Sequence, residues 1–267
     1  MVHIILTGAT GLVGSAVLSQ VLSSPSITHV SILSRRPVAA AEDHPKAKVI
    51  IHSDFSKYSP TVLDQISGAD GCIWAQGRSS VGMSEAAYSE LTHDWPLAAA
   101  KAFGATNNPA GWTFNFVYVS GEGADPMEAS RALFGRVKGR AEKDLLDLAS
   151  LTESLCVYKL RPAGIDGSDS TARPERPASW QERVAGLFFP AVKLFAPQWH
   201  TPVDSLAKVA VGLASGSGKP LLPRRRLDFA QHCNPNNGRT LKSVAFVGLL
   251  AQARRSLCLG YGTRATS

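Results

Sequence analysis

The chain has 267 residues, 44% of them hydrophobic, which is enough to bury a sizeable core and falls within the upper range of single-domain lengths. Its net charge of +7 is local: from Arg224 onward the chain holds 8 of its 28 basic residues and only Asp228 of its 21 acidic ones, which leaves 20 basic against 20 acidic residues before that point. The balance removes any general argument for nucleic-acid binding and confines an electrostatic partner to the C-terminal tail.

The four cysteines, Cys72, Cys156, Cys233 and Cys258, are far apart and lack the paired spacing of a metal knuckle or a redox motif, so no metal site is expected and a reducing compartment is. The opening MVHIILTGATG is apolar for a few residues and then breaks at glycine, which fits neither a signal peptide nor a transit sequence. No run approaches the roughly 20 apolar residues that a membrane-spanning helix needs. A soluble, cytoplasmic protein is the expectation.

In chain order, short Val/Ile-rich runs alternate with helical patterns. The predicted strands are 3–6, 29–34, 48–53, 71–75, 114–120 and 154–161, and their two-faced apolar character suits strands covered on both sides. Helices are predicted at about 12–24, 60–68, 84–104 and 131–150, with further helical segments near 180–196 and 203–215. This texture predicts an α/β fold, a doubly wound parallel sheet of the Rossmann type, over residues 1–222. Residues 166–180, rich in Ser, Pro and charge, read as a loop beside the site, and the segment 166–200 as a roof over a substrate pocket. Trp180, Phe188, Phe189, Phe195 and Trp199 could line that pocket or form a core of its own. Residues 223–267 form a basic tail that does not read as a continuation of the sheet. Peripheral contact with an anionic membrane is one reading of it, but the apolar residues form no clean face, which favours a helix packed on the domain.

The chemistry starts at LTGATGLVGSAVL, where Gly8, Gly11 and Gly14 follow the first strand and open the first helix, with Thr10 and Leu12 inside the turn. Glycine there lets the turn bend and lets backbone N–H groups approach a pyrophosphate. At the end of the second strand, Arg35 and Arg36 occupy the place where a site for NAD commonly carries an acid. Forked guanidinium groups suit a 2′-phosphate, so NADP is the expected cofactor. Asp54 and Phe55 close the third strand, where a carboxylate could accept from the adenine amino group and a ring could line its face; plain core packing is the equal alternative for Phe55. Ala75 and Gly77 follow the fourth strand, small enough for backbone to pass close to the cofactor ribose.

The GATGLVG turn, SRRP, DF, WAQG, a strand ending in Ser120, a helix with Lys138 and RPAGI at 161–165 together resemble the atypical or extended short-chain dehydrogenase/reductase superfamily. Within it, the chain looks like the branch of the human Tat-interacting-protein-like oxidoreductases and small fungal relatives, some associated with mitochondria. Mitochondrial association is therefore the alternative location. The resemblance implies that Ser120 steadies a reacting carbonyl, that Lys138 holds the nicotinamide ribose and assists catalysis, and that Pro162 and Ile165 contact the cofactor. It also implies a tyrosine four residues before the lysine, and Phe134 stands there. A phenyl ring donates no proton, and losing a positioned general acid typically costs about 100- to 10,000-fold in rate. The expected function is an NADP-dependent reductase of a small, apolar organic molecule. The alternatives are a dinucleotide-sensing or partner-binding protein, or a non-redox isomerase or lyase on the same fold.

Overall fold

The computed structural model describes residues 1–107, 112–177, 180–196, 199–216 and 239–242. Its centre is a seven-stranded sheet in the order β3-β2-β1-β4-β5-β6-β9, built from β1 (Val2–Thr7), β2 (Ile27–Ser34), β3 (Ala47–Ile51), β4 (Gly71–Trp74), β5 (Phe114–Val119), β6 (Leu155–Arg161) and β9 (Arg239–Lys242). Every neighbouring pair is parallel. The six predicted strands are all present, and helices cover both faces. Ile4 and Leu6 point to one side, into a core completed by α1 (Leu12–Ser23) and α7 (Val203–Ala214). Ile5 points to the other, toward Trp74, Phe103 and Leu145, in a core covered by α2 (Pro60–Gln65), α4 (Trp95–Thr106) and α5 (Leu133–Ser150). Strands buried on both faces cannot alternate apolar and polar residues, which is why they read as continuous runs.

The chain fills the sheet outward from β1 to β3 and then crosses back to lay β4 on the other side of β1. The strand order therefore reverses between β1 and β4, and a crevice opens there beyond the carboxyl ends of the strands.

The long predicted helix at 84–104 is interrupted. Ser84 caps α3 (Glu85–Ser89) by accepting from the Ala87 N–H, and a π-helical turn at Glu90–Asp94 leads into α4. Pro96 explains the interruption, since it has no N–H to give the Thr92 carbonyl one turn earlier. The Tyr118 hydroxyl donates to that carbonyl instead, at 2.9 Å, which ties the irregular turn to β5. His93, in the same turn, spans Asp94 (2.6 Å) and Asp144 of α5 (2.7 Å), a bridge between helices.

A second, two-stranded sheet pairs β7 (Gly164–Asp166) with β8 (His200–Pro202), on either side of α6 (Trp180–Phe195). The expectation that the tail leaves the sheet is corrected at one place: Arg239–Lys242 adds β9 in parallel to β6, with Tyr158 opposite Arg239. A four-residue strand with basic residues at both ends looks like a polar loop in sequence, yet it is an ordinary way to close a sheet edge. The rest of the tail lies outside the described residues. Among the described residues no helix is long and apolar enough to cross a membrane.

Candidate functional site

The glycine turn is built by close approach. Gly8 has φ +73°, and a Cβ there would stand 2.6 Å from the Ala75 carbonyl oxygen at the end of β4. A Cβ on Gly14 would fall 2.0 Å from the Gly8 carbonyl oxygen. Neither position tolerates a side chain, and the turn so held leaves the first N–H groups of α1 facing the crevice with no acidic residue in the first helical turn.

A cleft of about 1220 Å³ opens beside it. Thr10, Ser34, Arg35 and Arg36 line one side, Gln76, Gly77, Arg78 and Ser79 another, and Val81, Met83, Leu91 and Trp95 supply apolar wall. Arg176 and Pro177 come over from the segment after β7. Four guanidinium groups against the single carboxylate of Glu90 make the lining strongly cationic, which suits a polyanion. Ligand pockets for drug-sized molecules run to about 300–1,000 Å³, so the space fits an extended dinucleotide. The side-chain nitrogens of Gln76 and Trp95 are buried in this wall without a partner among the described residues. Turn, volume and charge all fit a nicotinamide dinucleotide.

The structure thus brings together Gly8, Thr10, Gly11, Gly14, Arg35, Arg36, Ala75 and Gly77, all expected at the cofactor. Leu12 has its place in the turn, but its side chain packs on the core and against Gly167.

Other expectations are corrected. Phe55 is 1% exposed and packs on Trp74, Trp95 and His52, so its ring cannot line an adenine face. It backs Trp95, which is the aromatic residue at the cleft wall. The carboxylate of Asp54 is exposed and accepts from the Ser56 hydroxyl and N–H, a local turn that holds it below the usual carboxylate range, and it does not line the cleft. Pro162 is buried, with its carbonyl accepting from the Glu122 N–H, and the half-buried Ile165 packs against the core at the start of the second sheet. Of the aromatic residues that could line a substrate pocket or form a core of their own, Phe195 and Trp199 are 82% and 57% exposed and lie on the surface, while Phe189 packs on His200. The side chains of Trp180 and Phe188 lie outside the described residues.

Ser120 has a partner that its sequence does not announce. Its Oγ donates to Glu142 Oε1 at 2.5 Å and is 3% exposed. Glu142, fully buried on α5, also accepts from Arg161 Nε at 2.8 Å and from its Nη2, and lies 3.8 Å from Lys159 Nζ. Two strand-borne cations and a hydroxyl thus surround one carboxylate. In this arrangement the Ser120 hydroxyl gives its hydrogen to that carboxylate. What Ser120 does offer is its own carbonyl, which accepts from Lys138 Nζ at 2.6 Å.

Lys138 is held on α5 because Gly139 lets the helix touch the preceding loop; a Cβ on Gly139 would collide with the Asp125 carbonyl. Burial lowers the lysine to about 8, and the nearby Glu142 carboxylate opposes that shift. Its ammonium lies 3.5 Å from where a Cβ on Gly121 would stand, at the carboxyl end of β5. Phe134, one turn earlier, is 37% exposed and lays its ring over Gly123. Residues that sequence reasoning missed here are Trp95, Glu142, Arg161 as an ion-pair partner, and Arg176. Glu142 stands four residues after Lys138, a spacing that suggests an exposed ion pair and not the buried cluster with Arg161 and Lys159.

The fold is a doubly wound α/β sheet, and its cleft has the place, size and charge to suit a dinucleotide. No protein-family model matches the chain. It is 39% identical over 188 residues to leucinostatins biosynthesis cluster protein T of Purpureocillium lilacinum, covering 64% of this chain and 67% of that protein. It is 31% identical over 229 residues to the mitochondrial protein fmp52 of Emericella nidulans, covering 82% and 91%. Among solved structures it resembles a short-chain dehydrogenase/reductase family oxidoreductase from Burkholderia thailandensis, with a TM-score of 0.61 at 14% identity over 95% of this chain and 97% of that one. It also resembles MoeE5 in complex with UDP-glucose and NAD, with a TM-score of 0.59 at 14% identity over 94% and 81%. The chain belongs to the family of the fungal fmp52 proteins, and its fold is the one seen in the short-chain dehydrogenase/reductase structure above.

Proposed function

We propose that the protein is an NADP-dependent reductase of a small organic molecule, with Lys138 in place of the missing phenol as the proton source. The observation that carries the reading is the cationic cleft, with Arg35 and Arg36 beside the glycine turn; the partly buried Lys138, at the carboxyl end of β5, supports it. When bound, the reduced dinucleotide supplies a hydride. The chain's part is to bind and to manage one proton. Arg35 and Arg36 suit a 2′-phosphate through forked, charge-assisted bonds. Lys138 gives one of its three hydrogens to the Ser120 carbonyl and keeps two for a developing oxyanion. A donor with its pKa near the working pH is well matched to that task.

The relative from a leucinostatin biosynthesis cluster supports a small-molecule substrate, and the mitochondrial naming of the fmp52 relative supports an association with mitochondria.

Because the acting form of Lys138 is the ammonium, turnover is expected to be high below pH 8 and to fall about tenfold for each pH unit above it. Lys138→Met is expected to lose this limb together with most of the activity. NADPH consumption across a panel of ketones, enones and imines, followed from pH 6 to 10, tests both. A second reading is favoured by one observation: Phe134 stands in place of the tyrosine, and the Ser120 hydroxyl is engaged by Glu142. NADPH binding without turnover of any acceptor would select a dinucleotide sensor.

A further inference from the structure

We infer that Arg176 is a pyrophosphate-binding residue, delivered to the glycine turn by a strap that crosses the mouth of the cofactor cleft. The inference rests on the dinucleotide reading above.

The strap begins where β7 ends. Asp166 is held by His200, Oδ2 to Nε2 at 2.9 Å, and Ser170 Oγ donates to Asp204 Oδ1 at 2.6 Å. These contacts fix the root of the segment to β8 and α7. Its far end reaches the other side of the cleft: Glu175 Oε1 accepts from the Ala40 N–H, beyond β2, at 3.2 Å. Between these anchors the strap lies directly on the glycine turn. The N–H groups of Glu175 and Arg176 both point at the Thr10 carbonyl, at 3.2 and 3.4 Å.

That docking sets the position of one side chain. Arg176 Nε lies 3.9 Å from where a Cβ on Gly11 would stand, and Gly11 is the N-cap of α1. The guanidinium therefore sits at the point where the helix N–H groups face the crevice, and it lines the same cleft as Arg35, Arg36 and Arg78. A helix N-terminus and an adjacent arginine converge on one anion, and a pyrophosphate is the group that the turn is shaped to take. Arg35 and Arg36, on the segment after β2, are placed for a different phosphate. The two sets should separate cleanly by ligand.

The test is calorimetric titration of wild type, Arg176→Gln and Arg176→Lys with NADPH, NADH and ADP-ribose, and with 2′-AMP, which carries no pyrophosphate. Arg176→Gln is expected to weaken NADPH, NADH and ADP-ribose by a similar factor, about tenfold or more for a lost charge-assisted contact, while 2′-AMP is little changed. Arg176→Lys, which keeps the charge and loses the fork, should fall between, and an unchanged melting temperature in the absence of ligand shows that the strap still docks. Dinucleotide binding by wild type that is indifferent to Arg176→Gln would overturn the inference and leave the dinucleotide reading standing. So would a loss confined to NADPH and 2′-AMP, which would place Arg176 at the 2′-phosphate. Wild type that binds no dinucleotide overturns both.

Discussion

Replacing Glu142 by alanine is expected to lower the free energy of unfolding by about 3–5 kcal/mol, a large fraction of a domain's stability, because it strands buried cations. Arg161 and Lys159 keep side-chain exposures of only 13% and 7%, and the carboxylate that faces both is fully buried. Burial already pulls Lys159 below the usual lysine range, with Glu142 opposing that shift, so removing the acid leaves only the penalty. Ser120 would also lose the acceptor of its hydroxyl. Glu142→Gln keeps an acceptor for Ser120 but not the charge, and should be less destabilising. In that variant the Lys138 limb of the pH profile should move to lower pH, since Glu142 is what raises Lys138 against burial. Urea denaturation measures the first effect. A loss under about 1 kcal/mol in Glu142→Ala would mean that the cations find water or other partners.

Gly14→Ala should be nearly as damaging, through shape instead of charge. The added methyl group would lie 2.0 Å from the Gly8 carbonyl oxygen, so either α1 shifts away from β1 or the turn opens. Overpacking of this kind costs about 1–3 kcal/mol, and a displaced turn no longer presents its N–H groups to a pyrophosphate. NADPH affinity is expected to fall by at least about 100-fold, in keeping with the sensitivity of bound-group placement to shifts near 1 Å. Gly212→Ala is the control: it lies in open space on the exposed side of α7, and there alanine should be neutral or slightly stabilising. Titration of each variant with NADPH, beside its denaturation curve, separates lost binding from lost folding.

Much of the fold was legible because its strands are covered on both faces, so HIIL and FNFVYV announce themselves as continuous apolar runs. The glycine turn and the place of Arg35 and Arg36 at the cleft were legible because the turn is a backbone feature and the arginines follow β2 directly in sequence. The rest of the site depends on distance in space. Glu142 sits in GRAEKDLL, which reads as a solvated helix face, and its burial follows from Arg161 and Lys159 on β6, which no local pattern announces. Phe55 could face cleft or core with the same sequence; Trp95, on a helix 40 residues later, decides it. Arg176 looked like any charge in a Ser- and Pro-rich loop until the strap was seen lying on Thr10. The partner of Ser120 was hidden for a related reason, since sequence matches a residue type to a role but does not reveal which neighbour accepts its hydrogen.

The central claim is that the cleft between β1 and β4 is an NADP(H) site, and its most direct test is calorimetric titration of the full chain with NADPH and NADH, alongside Arg35→Ala and Arg36→Ala. NADPH is expected to bind at least about tenfold tighter than NADH, with that advantage reduced in each arginine variant while NADH affinity stays nearly constant. Equal affinities that ignore both arginines would contradict the NADP assignment, and no binding of either dinucleotide would contradict the site itself.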